Sequence, residues 1–172
     1  MKRLLTIFTV LFSLVSVFGV SNVVDAAPAK QTTVKQTQVT PTYQQQKVLA
    51  SQSLNKLMQA IPLVVDYVEN DNKDSFYKLE SMVNVIKNDK DRYKKFSTTT
   101  AGTIALKVDS TILNFFIIAK INEGLREGYI SEYDTEYIQW LEEAQDQSLQ
   151  DLEKIRQLLA KYGIKTVADI DF

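Results

Sequence analysis

The chain has 172 residues, 45% of them hydrophobic and 24% charged, with a formal net charge of −1. That length suits one domain behind an export signal, and so even a charge balance offers neither the basic face that nucleic acid requires nor much attraction to an anionic lipid surface. There is no cysteine and no histidine, which excludes disulfide bracing and thiol ligands, removes the commonest general base and metal ligand, and rules out Ser-His or Cys-His nucleophiles.

Residues 1–26 read as a cleavable signal peptide. Lys2 and Arg3 form a positive start, residues 4–20 are an uncharged apolar run, and Val24 and Ala26 place small residues three before and one before a cut after Ala26. The run is at the short end of the roughly 17–25 residues that span a bilayer, so cleavage is expected rather than anchorage, with no transmembrane anchor left afterwards. The style of the signal suggests a bacterial source and delivery to the periplasm, the cell wall or the medium. Removing Lys2, Arg3 and Asp25 from 20 basic and 21 acidic residues leaves 18 and 20, a net charge of −2.

Residues 27–46, rich in Thr and Gln with Pro28 and Pro41, read as a flexible linker, because they are short of large apolar groups. Residues 47–172 read as a helical domain with a short C-terminal docking tail. The first helical pattern begins at about Tyr43 and runs to Asn70. Leu54, Leu57, Met58, Ile61, Val64, Val65 and Val68 share one side at 100° per residue, and Pro62 predicts a kink. A polar turn follows at 69–74, with Asp74 as the expected N-cap of a second helix over 75–96. Phe76, Leu79, Met82, Val83, Ile86 and Tyr93 make its stripe, and Lys87, Lys90, Arg92, Lys94 and Lys95 crowd its expected last turns, where the helix dipole favours cations.

Residues 97–102 connect to a third helix over 103–127, the most apolar of the four, with hydroxyls suited to capping. One face carries Ile104, Ala105, Val108, Ile112, Phe115, Phe116 and Ala119. The opposite side carries Leu106, Leu113, Ile117, Ile118, Ile121 and Leu125. A helix apolar on two sides needs cover on two sides. Gly128 suits a left-handed stop. The fourth helix is expected from an N-cap at Ser131 to Gly163. Tyr137, Leu141, Ala144, Ser148, Leu152, Ile155, Leu159 and Tyr162 recur in steps of four and three, a heptad-like seam, on a helix of roughly 45 Å. Ile164, Val167, Ile170 and Phe172 are expected to fold back on the bundle end. Four helices with short connections predict an all-α, antiparallel up-down four-helix bundle behind a signal peptide and a flexible linker.

Several constellations resemble catalytic or metal motifs and fail on inspection. A di-iron bundle needs Glu-x-x-His pairs. Ser53–Lys56 and Ser75–Lys78 spell S-x-x-K, but the S-D-N and K-T-G partners are missing. Glu69, Asp71 and Asp74 suggest a calcium loop, yet Lys73 occupies a ligand position and would repel the ion. There is no phosphate-binding glycine loop at 97–102, and the segment 163–170 echoes a helix-hairpin-helix turn without its second helix. No cofactor or metal is therefore expected. The early part of the fourth helix carries Glu132, Asp134, Glu136, Glu142, Glu143 and Asp146 on its outer side, which reads first as a solvated face. Tyr129, Tyr133, Tyr137 and Trp140 cluster in sequence and are expected mainly to fill the bundle end.

The functional expectation is a non-enzymatic exported protein that presents helix surfaces to a protein partner or to itself. Leu113, Phe116, Ile117, Ile121, Tyr133, Trp140, Glu142, Glu143 and Asp146 are the candidate surface for a partner or ligand, by the affinity of exposed apolar patches and aromatic groups for interfaces. An alternative is a carrier of an apolar or lipid-like ligand, held around Phe115, Phe116 and Ile117 where Pro62 opens a gap. A further alternative is a carboxylate-only hydrolase, which would need two carboxyls across a cleft at roughly 5–9.5 Å; Glu142 and Glu143 are the acids to test.

Overall fold

The computed structural model describes residues 40–89 and 91–164. The signal peptide, the linker up to residue 39 and the tail from residue 165 lie outside the described residues. Within them the regular structure is entirely helical: α1 (Tyr43–Asn70), α2 (Lys73–Asn88), α3 (Thr100–Glu127) and α4 (Thr135–Leu159), with 3-10 turns at Lys94–Phe96 and Ala160–Tyr162.

The start of α1 is set by a capping box. The Thr42 hydroxyl accepts from the Gln45 amide at 3.2 Å and the Gln45 side chain accepts from the Thr42 amide at 2.9 Å. The helix therefore begins at Tyr43, where its pattern places it, four residues inside the segment whose composition read as linker. It buries Ala50, Ser53, Leu57, Ala60, Ile61, Val64 and Tyr67, a stripe in steps of three and four, and runs on through the exposed Pro62. Asp71 closes it in the left-handed region at φ 53°.

The cap of α2 is Asn72 rather than the expected Asp74: the Asn72 side chain accepts from the Asp74 amide at 3.1 Å. Asp74 instead sits in the first turn, where its charge suits the dipole. α2 also ends at Asn88, well short of Phe96. The reason is local. The Arg92 guanidinium turns back and donates to the Val85 carbonyl and, at 3.3 Å, to the Asp89 carbonyl, satisfying acceptors that a helix end leaves open. Of the basic residues expected at the helix end, Lys87 alone lies in the last turn; the others belong to the connection or to the undescribed position 90.

Thr99 caps α3 by accepting from the Gly102 amide at 3.0 Å, so this helix starts at Thr100, three residues early. Gly128, at φ 81°, ends it. Ser131, the expected cap of α4, instead accepts from the Tyr133 amide in the preceding turn, and the helix begins after Asp134. Its 25 residues give about 38 Å, shorter than expected. The expected seam is otherwise intact: Leu141, Ala144, Ser148, Leu152, Ile155, Leu159 and Tyr162 are all buried, and Tyr137 is half-buried against the same core. Burial of side chains of Leu or Ile size contributes roughly 1.5–3 kcal/mol each.

Cross-helix contacts fix the directions. Lys73, the first residue of α2 and three residues beyond the end of α1, reaches Glu123 and Glu127 near the end of α3, each at 3.3 Å, so α1 and α3 run the same way. Lys107 early in α3 pairs with Asp151 late in α4 at 2.6 Å, and the Tyr43 ring lies 5.6 Å from Tyr162, so α4 runs against both. α2 runs against them too, because its start meets α3 late: Phe76 stacks on Phe116 at 5.5 Å. The helices are not equivalent. α3 is central, with its broadest contacts to α4 and α1 and a smaller one to α2.

Candidate functional site

The central position of α3 leaves one of its flanks open. At 100° per residue, Phe116 and Lys120 point towards α2, while Lys107 and Asn114 point towards α4. Leu106, Leu113 and Ile117 fall between. α2 and α4 do not close over them: Leu106 is 55% exposed and Ile117 is 40% exposed, with Leu113 half-buried. Beside this row lies an open groove of about 810 Å³, lined by Asn114 and Ile117 from α3 and by Trp140, Glu143, Ala144, Asp146, Gln147 and Gln150 from α4. Trp140 is 45% exposed and stands edge-on to Tyr137 at 5.2 Å. The Asn114 side-chain nitrogen is buried there without a hydrogen-bond partner.

Of the nine candidate surface residues, four meet in this groove: Ile117, Trp140, Glu143 and Asp146. Leu113 continues the row along α3. The remaining four lie elsewhere. Ile121 is buried at 4% exposure, one turn before Gly124, onto which Ile130 folds back from the next loop. Phe116 is half-buried in its stack with Phe76. Tyr133 is 83% exposed in the α3–α4 turn, and Glu142, also exposed, does not line the groove. The aromatic residues expected to fill the bundle end do not do so as a group, because Tyr129 and Tyr133 are both in solvent. Asn114, Gln147 and Gln150 were not singled out from the sequence, and Leu106 was named there only as part of the second apolar side of α3. The signal for Asn114 was present, as a lone amide between Leu113 and Phe115 in the most apolar helix.

Two buried carboxylates hold the helices in register beneath this surface. Asp151 accepts from Lys107 at 2.6 Å and from Gln147 at 3.0 Å, joining α4 to α3 next to the groove. Asp109 accepts from Lys56 at 2.6 Å and lies 3.7 Å from Arg92, joining α3 to α1 and to the 89–99 connection. The two S-x-x-K spellings dissolve into such structure. The Ser53 hydroxyl donates to the Leu49 carbonyl, its lysine is the partner of Asp109, and Ser75 donates to Asp66 at 2.5 Å. That bond, with those from Asn70 and Asn72, holds the Asp66 carboxyl below its usual range.

At the far end of α1 and α3, Tyr67 is buried with its hydroxyl unpartnered, and burial pushes its titration up. Arg126 lies 4.9 Å from its ring centre. Burial opposes ionisation of Glu123, yet Lys120 and Lys73 still hold its carboxyl below the usual range. Asp71, in the turn that suggested a calcium loop, is bound instead by Arg126 at 2.7 Å. Among the described residues, no group of three or more acids is placed to hold a metal ion, and no helix is long and apolar enough to cross a membrane. Glu143 and Asp146 are one turn apart on α4, and Gln139 donates to Glu143 at 2.8 Å.

No protein-family model matches the chain, and neither does any curated protein or solved structure.

Proposed function

We propose that the protein is an exported, non-enzymatic interaction module: a four-helix bundle that uses the open flank of α3 and the adjoining side of α4 to dock a protein. The observation that carries this reading is the apolar row Leu106, Leu113 and Ile117 left uncovered beside Trp140. Water contact at such a row is unfavourable, and a partner that covers it gains by burying it. A half-exposed tryptophan flanked by polar side chains is the usual anatomy of a binding hot spot. Export rests on the pattern of residues 1–26, with cleavage after Ala26 in a bacterial host.

The ligand-carrier alternative has less to support it. A small-molecule site encloses most of its ligand, whereas this groove is open, and Phe115 lies fully inside the core. Site-specific photo-crosslinking of the full chain in a bacterial host tests the docking reading. A crosslinker in place of Ile117 is expected to capture a protein, and one in place of the exposed Gln59 on α1 or of Tyr133 is not. Capture of lipid alone, or of nothing, would overturn it. An intact mass that begins at Ala27 is the expected sign of export and cleavage; an exported chain that retains residues 1–26 would contradict it.

A further inference from the structure

The groove carries charge of one sign. Its lining holds two carboxylates, Glu143 and Asp146, and no lysine or arginine. Both acids are exposed. Glu143 accepts from the neutral Gln139 at 2.8 Å, and no cation among the described residues pairs with either acid. The surroundings have the same sign. From Ile117 to Asp146 the chain carries eight acids and two bases, and both bases are engaged: Lys120 with Glu123 at 3.0 Å and Arg126 with Asp71 at 2.7 Å. Lys107, earlier on α3, is held by Asp151 at 2.6 Å, and α4 has no base before Lys154. The fold does not call for this arrangement. The helix dipole favours acids in the first turn of α4 and fades beyond it, whereas Glu143 and Asp146 lie in the third and fourth turns.

Beside these carboxylates stand the half-buried Leu113, the exposed Ile117 and the half-exposed indole of Trp140. Water suits the acids and not the apolar row. A cover that suits both is apolar along one edge and positively charged along the other. We infer that the groove takes a cationic amphipathic segment of a partner protein, laid between α3 and α4 as an amphipathic helix lies in an apolar groove. This rests on the protein-docking reading above and names the chemistry of its partner. The apolar side chains of the segment cover Leu113 and Ile117. Its lysines or arginines reach Glu143 and Asp146, where an arginine can hold a carboxylate through two hydrogen bonds, and the Trp140 indole attracts the same cations. An acidic segment would bring like charges together and be rejected.

Trp140 is the one tryptophan of the chain, so its emission reports on the groove directly. The probe is a helical peptide of leucine and lysine, about 14 residues or four turns long, set beside its leucine and glutamate counterpart. Titrated into the full chain, the lysine peptide is expected to shift Trp140 emission to the blue, and the glutamate peptide is not. No shift with the lysine peptide, or the same shift with both, would overturn the inference. Glu143→Lys with Asp146→Lys is expected to weaken the lysine peptide at least about tenfold, and the milder Glu143→Gln with Asp146→Asn should weaken it in the same direction. Glu69→Lys with Glu132→Lys makes the same change in net charge at exposed positions outside the groove, and it should leave the affinity within about threefold. An equal loss in that control would mean diffuse attraction and overturn the assignment to the groove. Sequencing what the Ile117 crosslinker captures separates this inference from the reading beneath it. A joined segment rich in lysine or arginine supports both. A joined segment that is acidic, or that comes from a second copy of this chain, overturns the cationic partner and leaves the docking reading standing; capture of no protein overturns both.

Discussion

The two sides of α3 are equally apolar in sequence and differ in what covers them. The side that carries Ile104, Val108, Ile112 and Phe115 is completely buried, whereas Leu106 and Ile117 on the other side stand in water. Side-chain composition does not separate them; the neighbours do. α1 and α4 close over the first side along most of its length, and α2 is a 16-residue helix that covers Phe116 and stops short of the rest. An apolar helix in the middle of a small domain thus reports two things at once, the core it organises and the cover it lacks.

The largest way to break this contrast is through the sheltered side. Phe115→Ala empties the centre of the core, and such truncations cost about 3–5 kcal/mol. Chemical denaturation should show a loss of that size, with the slope of the transition little changed. A loss below about 1 kcal/mol would mean that the core is not closed there. Next comes the seam where α4 lies on α3. Asp151→Ala strands Lys107 beside the groove and leaves Gln147 without its acceptor. The carboxylate is almost fully buried, but the lysine is 31% exposed and can recover some hydration, so the cost should be about 2 kcal/mol, below that of a fully buried pair. Asp151→Asn keeps the acceptor for Gln147 and should recover part of the loss in the same denaturation assay.

How much of this was legible in the sequence depended on whether a pattern had one phase or two. α4 has one. Its seam from Leu141 to Tyr162 was read from spacing, and those residues are buried, because a single stripe on a polar helix has only one side to turn inward. α3 has two phases, and spacing alone cannot say which apolar residues find cover. Ile117 and Ile121 lie one turn apart on the same flank, yet one is open and the other is closed where the chain returns with Ile130 against Gly124. The ends of helices were legible where a side chain caps its own turn: Thr99 was within the expected capping segment, and the Thr42–Gln45 box was present though unread. They were illegible where the cap comes from beyond the helix. Nothing local in α2 announces that Arg92 will turn back to Val85. Of the acids of α4 read as a solvated face, Glu132, Glu136, Glu142, Glu143 and Asp146 are exposed, and which two of them border the groove, Glu143 and Asp146, depends on where α3 lies beside α4.

A smaller effect sharpens the comparison where the connection crosses the sheltered side. Gly102→Ala in the first turn of α3 would ordinarily gain about 1 kcal/mol of helix propensity. Here the added carbon would lie 2.1 Å from the Phe96 carbonyl oxygen, and backbone cannot step aside as a side chain tip can. The connection must shift and loosen the buried Phe96, so a net loss of about 1–3 kcal/mol is expected. A melting temperature equal to or above that of the unaltered chain would show that the 89–99 connection is not held against α3.

The smallest effect on folding belongs to the open side and is the most telling of the four. Ile117→Ser removes apolar surface that already meets water, and substitutions at such places usually stay within about 0.5 kcal/mol. Measured in dilute protein, the denaturation midpoint should barely move, in contrast to Phe115→Ala two residues away. The same change should nonetheless lower capture of a docked protein by a photo-crosslinker placed at Gln147, because the transfer of that side chain out of water happens on docking rather than on folding. A loss of 2 kcal/mol or more in the dilute monomer would place Ile117 in the core and dissolve the distinction between the two sides of α3.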